Sequence, residues 1–117
     1  MIQTERYEIS FASLKNITFN LDLAVHSWII AANKLYKETG IFVSAQMIEK
    51  MLASKDGSTL ERCIVVTSTR NPMLTPNKAD FYRALKIVAT EVKNDLKNPY
   101  TTISEFVINV SFFLHEL

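Results

Sequence analysis

Residues Leu60–Thr69, LERCIVVTST, decide the class of the fold. Read with the residues before it, Ser58-Thr59-Leu60-Glu61 is a capping-box pattern that starts a helix. Read by itself, Ile64-Val65-Val66-Thr67 is β-branched throughout, and stiff branched side chains suit a pleated strand. We read a strand over 60–68. It is apolar on both faces, so it belongs in the middle of a sheet.

Toward the N-terminus, Ser44 is a good N-cap for a short helix over 45–54. Ile48, Met51 and Leu52 would be its inward face, and Lys55-Asp56-Gly57-Ser58 its closing turn. Before it lies the densest apolar run at helical spacing, NLDLAVHSWIIAANKLYKET, Asn20–Thr39. Leu21, Ala24, Val25, Trp28, Ile29, Ala31, Ala32, Leu35 and Tyr36 share one arc of about 160° when drawn at about 100° per residue. Asn20 can cap this helix and Gly40 can end it in the left-handed conformation, so the helix spans 20–39. Leu23 and Ile30 interrupt its polar face one heptad apart and, with the methylenes of Lys34, form a second seam. Earlier still, Tyr7, Ile9 and Phe11 alternate with Arg6, Glu8 and Ser10, the mark of a strand over 5–12.

Toward the C-terminus, TSTRNPMLTPNK (67–78) is the longest polar connection. Thr75 as N-cap and Pro76 at the first helical position open a helix over 76–97, with Phe81, Leu85, Val88, Val92 and Leu96 as its buried stripe. Asn98-Pro99 stops it. In the tail, Phe106, Ile108, Val110, Phe112 and Leu114 alternate, which predicts a strand over 104–114. A helical reading would group Phe106, Val110, Phe113 and Leu117 instead. The predicted fold is α+β: three helices (20–39, 45–54, 76–97) with a three-stranded sheet (5–12, 60–68, 104–114). The alternative, with both ambiguous segments helical, is a mostly α protein.

A chain of 117 residues suits one domain. Thirteen basic residues against twelve acidic ones give a net charge of +1, so no bulk attraction to nucleic acid or membrane is indicated. The opening MIQTERYEIS carries charges where a signal peptide needs an apolar core, and no apolar run approaches the roughly 20 residues of a membrane span. A cytoplasmic location with no membrane partner is the expectation. The single cysteine, Cys63, excludes an internal disulfide, and two glycines argue against glycine-rich phosphate loops.

His26, Cys63 and His115 are the obvious nucleophiles or ligands, but no two stand at metal-ligand spacing. We therefore expect no metal, no cofactor and no catalytic residue. The connection 67–78 leaves a strand end and enters a helix N-terminus, where free N–H groups favour an anion. Arg62, Arg70, Lys78, Arg83 and Lys86 form a basic series against one acid, Asp80, spaced to follow phosphates. Residues 44–66 also allow a helix-turn-helix, although its second helix offers only Glu61 and Arg62 to a groove. Leu23, His26, Ile30 and Lys34 form the surface suited to a protein partner or a second copy. By elimination the chain reads as a small non-enzymatic binding module, homodimeric, that regulates or inhibits a partner protein by direct contact. A nucleic-acid-binding regulator is the alternative. A small enzyme with an anion site at 67–78 comes third.

Overall fold

A computed structural model describes residues 1–13, 20–53 and 60–111. Its elements run β1 (Ile2–Ala12), α1 (Leu21–Thr39), β2 (Gln46–Ala53), β3 (Leu60–Thr69), α2 (Lys78–Asp95) and β4 (Tyr100–Val110). The sheet order is β2-β3-β1-β4, and every neighbouring pair is antiparallel. β1 and β2 are therefore parallel with β3 between them, and β3 and β4 are parallel with β1 between them. This is the split βαβ arrangement of ferredoxin-like folds. The α+β class holds, but among the described residues three helices and three strands become two and four, and the mostly α alternative is lost.

The element that differs is 45–54. AQMIEKMLAS is rich in good helix formers, yet it pairs with β3 from Gln46↔Thr67 to Ala53↔Leu60. Helix propensities differ by at most about 0.7 kcal/mol per ordinary residue, so the summed preference is small. Against it stands the outer row of backbone donors and acceptors on β3, which pairs with β2. Ile48, Met51 and Leu52, expected inward, are exposed on this edge strand. The helix-turn-helix reading of 44–66 falls with the helix. The expected turn at 55–58 lies outside the described residues, as do Phe112, Leu114 and His115 of the tail.

β3 and β1 occupy the middle of the sheet, β3 as its two-sided apolar run requires. Tyr7, Ile9 and Phe11 of β1, with Ile64 and Val66 of β3, are buried against the helices. From above, α2 contributes Phe81, Leu85, Val88 and Val92, followed by Leu96. Its N-cap is Asn77, whose side chain accepts from Asp80 N, rather than Thr75. β4 begins at Tyr100, earlier than expected, and forms the far edge.

In α1, Asn20 Oδ1 accepts from Leu23 N at 2.7 Å, and Gly40 closes the helix at φ +76°. The buried face is narrower than the apolar arc. Trp28 is 3% exposed and donates from Nε1 to Val43 O at 3.1 Å. Val25, Ile29 and Tyr36, expected inside, are exposed. A helix resting on one sheet and one neighbouring helix covers less than its whole apolar side. Ser27 turns inward instead, because its Oγ donates to Asp95 Oδ2 of α2 at 2.6 Å. Leu23 and Ile30 point outward, 44% and 57% exposed.

These positions separate cleanly in a stability measurement. Trp28→Ala should cost about 3–5 kcal/mol in urea unfolding, since it removes a buried aromatic and the Val43 contact. Ile30→Ala should stay within about 0.5 kcal/mol of the parent.

Candidate active site

The sheet end where β3 finishes is the end where α1 closes, β2 begins and α2 begins. A cavity of about 640 Å³ opens there. Its aromatic walls are Tyr36, Phe42 and Phe81. Its polar lining is Ser44, Thr69, Asn71 and Thr75, all neutral side chains. Mostly apolar walls with a few placed polar groups are the usual make-up of a small-molecule site.

Each wall is held from behind. Tyr36 and Phe42 meet edge to face, with ring centroids 5.9 Å apart and planes at 89°. The segment 41–45 that carries Phe42 is fixed at Val43 O by Trp28 and at Ser44 O by the Ser68 hydroxyl, which donates at 2.6 Å. Phe81 stacks on Tyr7 at 5.9 Å. Asn71 Oδ1 accepts from Met73 N at 2.9 Å, which turns the chain and leaves the amide nitrogen as a donor.

The remaining wall, residues 70–77, is held by a buried ion pair. Arg70 Nε donates to Glu5 Oε1 at 2.7 Å and Nη2 to Glu5 Oε2 at 3.3 Å. Nη1 donates to the carbonyls of Thr75 and Pro76, both at 3.1 Å. Thr4 Oγ1 donates to Arg70 O at 2.8 Å. Arg70 and Glu5 are 6% and 8% exposed, and the hydrogen bond to Glu5 raises the guanidinium pKa further. Sequence reading nominated Arg70 as a cation for a ligand; the structure places its donors on the protein itself.

The other basic residues do not line this cavity, although Arg83 and Lys86 share a shallower pocket on α2 with Glu91. Arg62 sits by Glu49 at 3.5 Å, Lys78 by Glu105 at 3.1 Å and Arg83 by Asp80 at 3.3 Å. Lys86 lies over the Tyr82 ring, 5.7 Å from its centroid. Leu23, His26, Ile30 and Lys34 lie on the outer side of α1 and do not line the cavity, and Lys34 is 3.7 Å from Glu91. Cys63 is buried, its Sγ 2.7 Å from Ser10 Oγ. Among the described residues no cluster of His, Cys, Asp or Glu could hold a metal ion. None of the helices described is long and apolar enough to cross a membrane. Sequence reading located one wall, the loop 67–78. It missed Tyr36 and Phe42, because nothing in a linear pattern says that the end of α1 and the start of β2 face that loop.

Behind Phe81, Tyr7 is fully buried, and its Oη has no hydrogen-bond partner among the described residues. Burial, and after it the Glu105 carboxylate, holds the phenol well above its ordinary pKa. The native state thus keeps a proton that the unfolded chain loses near pH 10. Stability from this group is complete below about pH 10 and declines as pH rises above it. Urea midpoints at pH 8 and pH 11 should therefore fall further for the parent than for Tyr7→Phe. The ion pair gives a second test: Arg70→Met alone should cost about 3–5 kcal/mol by leaving Glu5 buried without its partner. Arg70→Met with Glu5→Leu should cost clearly less than the sum of the two single changes in the same urea titrations.

No curated protein matches this chain. Among solved structures, it is similar to a phage SAM lyase in its apo state, at 13% identity over 96% of this chain and 94% of that one, with a TM-score of 0.62. It is similar also to a phage SAM lyase in complex with S-methyl-5'-thioadenosine, at 13% identity over 95% and 93%, with a TM-score of 0.54. A de novo designed protein, Foldit4, shares the fold at 11% identity over 91% and 99%, with a TM-score of 0.53. At such identities these likenesses speak for the fold alone. The family comparison reaches further, for the SAM lyase family matches residues 2–114. That overturns both the non-enzymatic regulator or inhibitor and the nucleic-acid-binding regulator read from the sequence, which carries no catalytic motif of fixed spacing. This chain belongs to the SAM lyase family, a family of enzymes.

Proposed function

We propose that this protein cleaves S-adenosylmethionine at the bond between sulfur and Cγ of the methionine part, releasing S-methyl-5'-thioadenosine. The family match over residues 2–114 carries the reading. The cavity beside the 70–77 loop supports it. Its ring surfaces from Tyr36 and Phe42 suit an adenine, and Ser44, Thr69, Asn71 and Thr75 suit the base edge and the ribose hydroxyls. A phage SAM lyase of the same fold has been solved with S-methyl-5'-thioadenosine bound.

A lyase adds no water, so the electrons that replace the Cγ–S bond come from the substrate. The lining described contains no carboxylate and no histidine to remove a proton from carbon. That favours closure by the substrate's own carboxylate. One carboxylate oxygen bonds to Cγ as the Cγ–S bond breaks with its electron pair on sulfur. The products are a neutral thioether and a homoserine lactone that keeps the ammonium. Net charge is conserved at +1, while the sulfonium and carboxylate charges cancel.

The transition state is thus less polar than the reactant. Water solvates the separated charges of the reactant best and so opposes the reaction. Neutral, largely aromatic walls stabilise those charges less, and only such a difference between reactant and transition state accelerates chemistry. What the protein supplies is a shaped, weakly polar enclosure.

Purified protein incubated with S-adenosylmethionine should yield S-methyl-5'-thioadenosine and homoserine lactone in equal amounts by chromatography with mass detection. Asn71→Ala should lower kcat/KM about tenfold, the equivalent of one hydrogen bond. Unchanged S-adenosylmethionine after prolonged incubation of the folded protein would overturn the proposal.

A further inference from the structure

We propose that the loop 71–75 is an apolar strap that closes over the bound substrate, and that Leu74 at its tip keeps water from the reacting carboxylate and sulfonium. This deepens the cleavage reading above and rests on it.

The weakly polar enclosure that the reaction needs is not closed by the walls as they stand. Leu74 lines the cavity, yet it is 81% exposed, and its neighbour Met73 is 70% exposed. Among the described residues Met1 is the one large apolar side chain more exposed than Leu74. Tyr36 and Phe42, on other walls of the same cavity, are exposed as well. Single exposed apolar side chains are ordinary, but several gathered around one cavity mark a binding surface. A substrate seated among them would still meet water, which stabilises its separated charges and opposes their cancellation.

The hydrogen bonds of the loop let its tip move as a unit. Its ends are fixed: Arg70 N donates to Glu5 O at 3.0 Å, and Arg70 Nη1 holds the Thr75 and Pro76 carbonyls. Between those anchors the turn closes on itself. Asn71 O accepts from Leu74 N at 3.1 Å and from Thr75 N at 2.9 Å, and Asn71 Oδ1 accepts from Met73 N. Among the described residues no hydrogen bond ties residues 72–74 to another element. Swinging the tip inward therefore breaks no sheet or helix pairing, and it buries Leu74 against the substrate, which is favourable. A polar residue there would bring water with it; leucine does not. Closure of this kind acts on rate more than on affinity, because water lost from the reactant's charges is not missed by a transition state in which they cancel.

Measurements on the full chain test this. Leu74→Ser should lower kcat about tenfold while KM does not rise in step, the mark of a lost difference between reactant and transition state. Leu74→Met, apolar and of similar size, should recover most of that loss. The urea midpoint should not move in either variant, since the side chain is exposed. Closure itself is read with Leu74→Cys, because Cys63 is buried and leaves the introduced thiol as the accessible one. Millimolar S-adenosylhomocysteine, which lacks the sulfonium and is not cleaved by this route, should slow the labelling of that thiol by a maleimide about tenfold. Parental kcat in Leu74→Ser, or labelling that the nucleoside leaves unchanged, would overturn the inference. So would a fall in molecular mass by light scattering in Leu74→Ser, which would make the tip a contact between copies. S-Adenosylmethionine left intact by the parent, with labelling still slowed, would overturn the proposed reaction and leave the closure of the strap standing.

Discussion

The buried pair of Glu5 and Arg70 is the constraint on which the working end of the molecule depends. Glu5 stands on β1 and Arg70 follows directly after β3, so the pair extends the β1–β3 pairing past the last strand residue. Its remaining donors seize two carbonyls just before α2. One guanidinium therefore sets where the chain leaves the sheet and where it enters the helix. Burying two charges is costly, and apolar residues of similar size often serve stability as well. A planar fork with fixed donor directions does something an apolar side chain cannot, since it specifies the path of a loop in three dimensions.

That loop has a counterpart across the cavity. Residues 41–45 have no regular structure, yet Trp28 and Ser68 hold two of their carbonyls. Trp28 is thus both the largest side chain α1 places in the core and a clamp on the segment that carries Phe42. Core packing and site geometry are coupled through one indole. The polar groups of these supports face the protein, and the cavity itself is left with neutral surface. For a reaction that cancels a sulfonium against a carboxylate, neutral surface is a chemical property of the site.

The absence of a linear catalytic motif misled the reading of function for a related reason. Motifs such as paired metal ligands or a nucleophile with its base are legible because the chemistry needs fixed side chains at fixed spacing. Here the proposed chemistry draws its nucleophile from the substrate, and the walls come from five separate segments: the end of α1, residues 40–44, the end of β3, the loop into α2, and Phe81 of α2 itself. Tyr36 reads as part of a buried helix face and Phe42 as a connector residue until the fold sets both beside Thr75. Arg70 was legible as a cation beside a promising loop, but its partner stands 65 residues earlier in a strand.

The sequence by itself determined what depends on neighbours along the chain. Period-2 alternation at Tyr7, Ile9 and Phe11, the Asn20 cap, the Gly40 stop and the α2 stripe all follow from local geometry, and with them the α+β class. Tertiary structure decided what depends on pairing at a distance. Gln46–Ala53 became a strand because the backbone of β3 provided a row of partners, and hydrogen bonding to that row outweighed a small helical preference. It also decided which part of an apolar arc is buried, admitting Ser27 and leaving out Ile29. Above all it decided where Arg70 spends its charge, because the Glu5 carboxylate, far off in sequence, lies 2.7 Å from its Nε after folding.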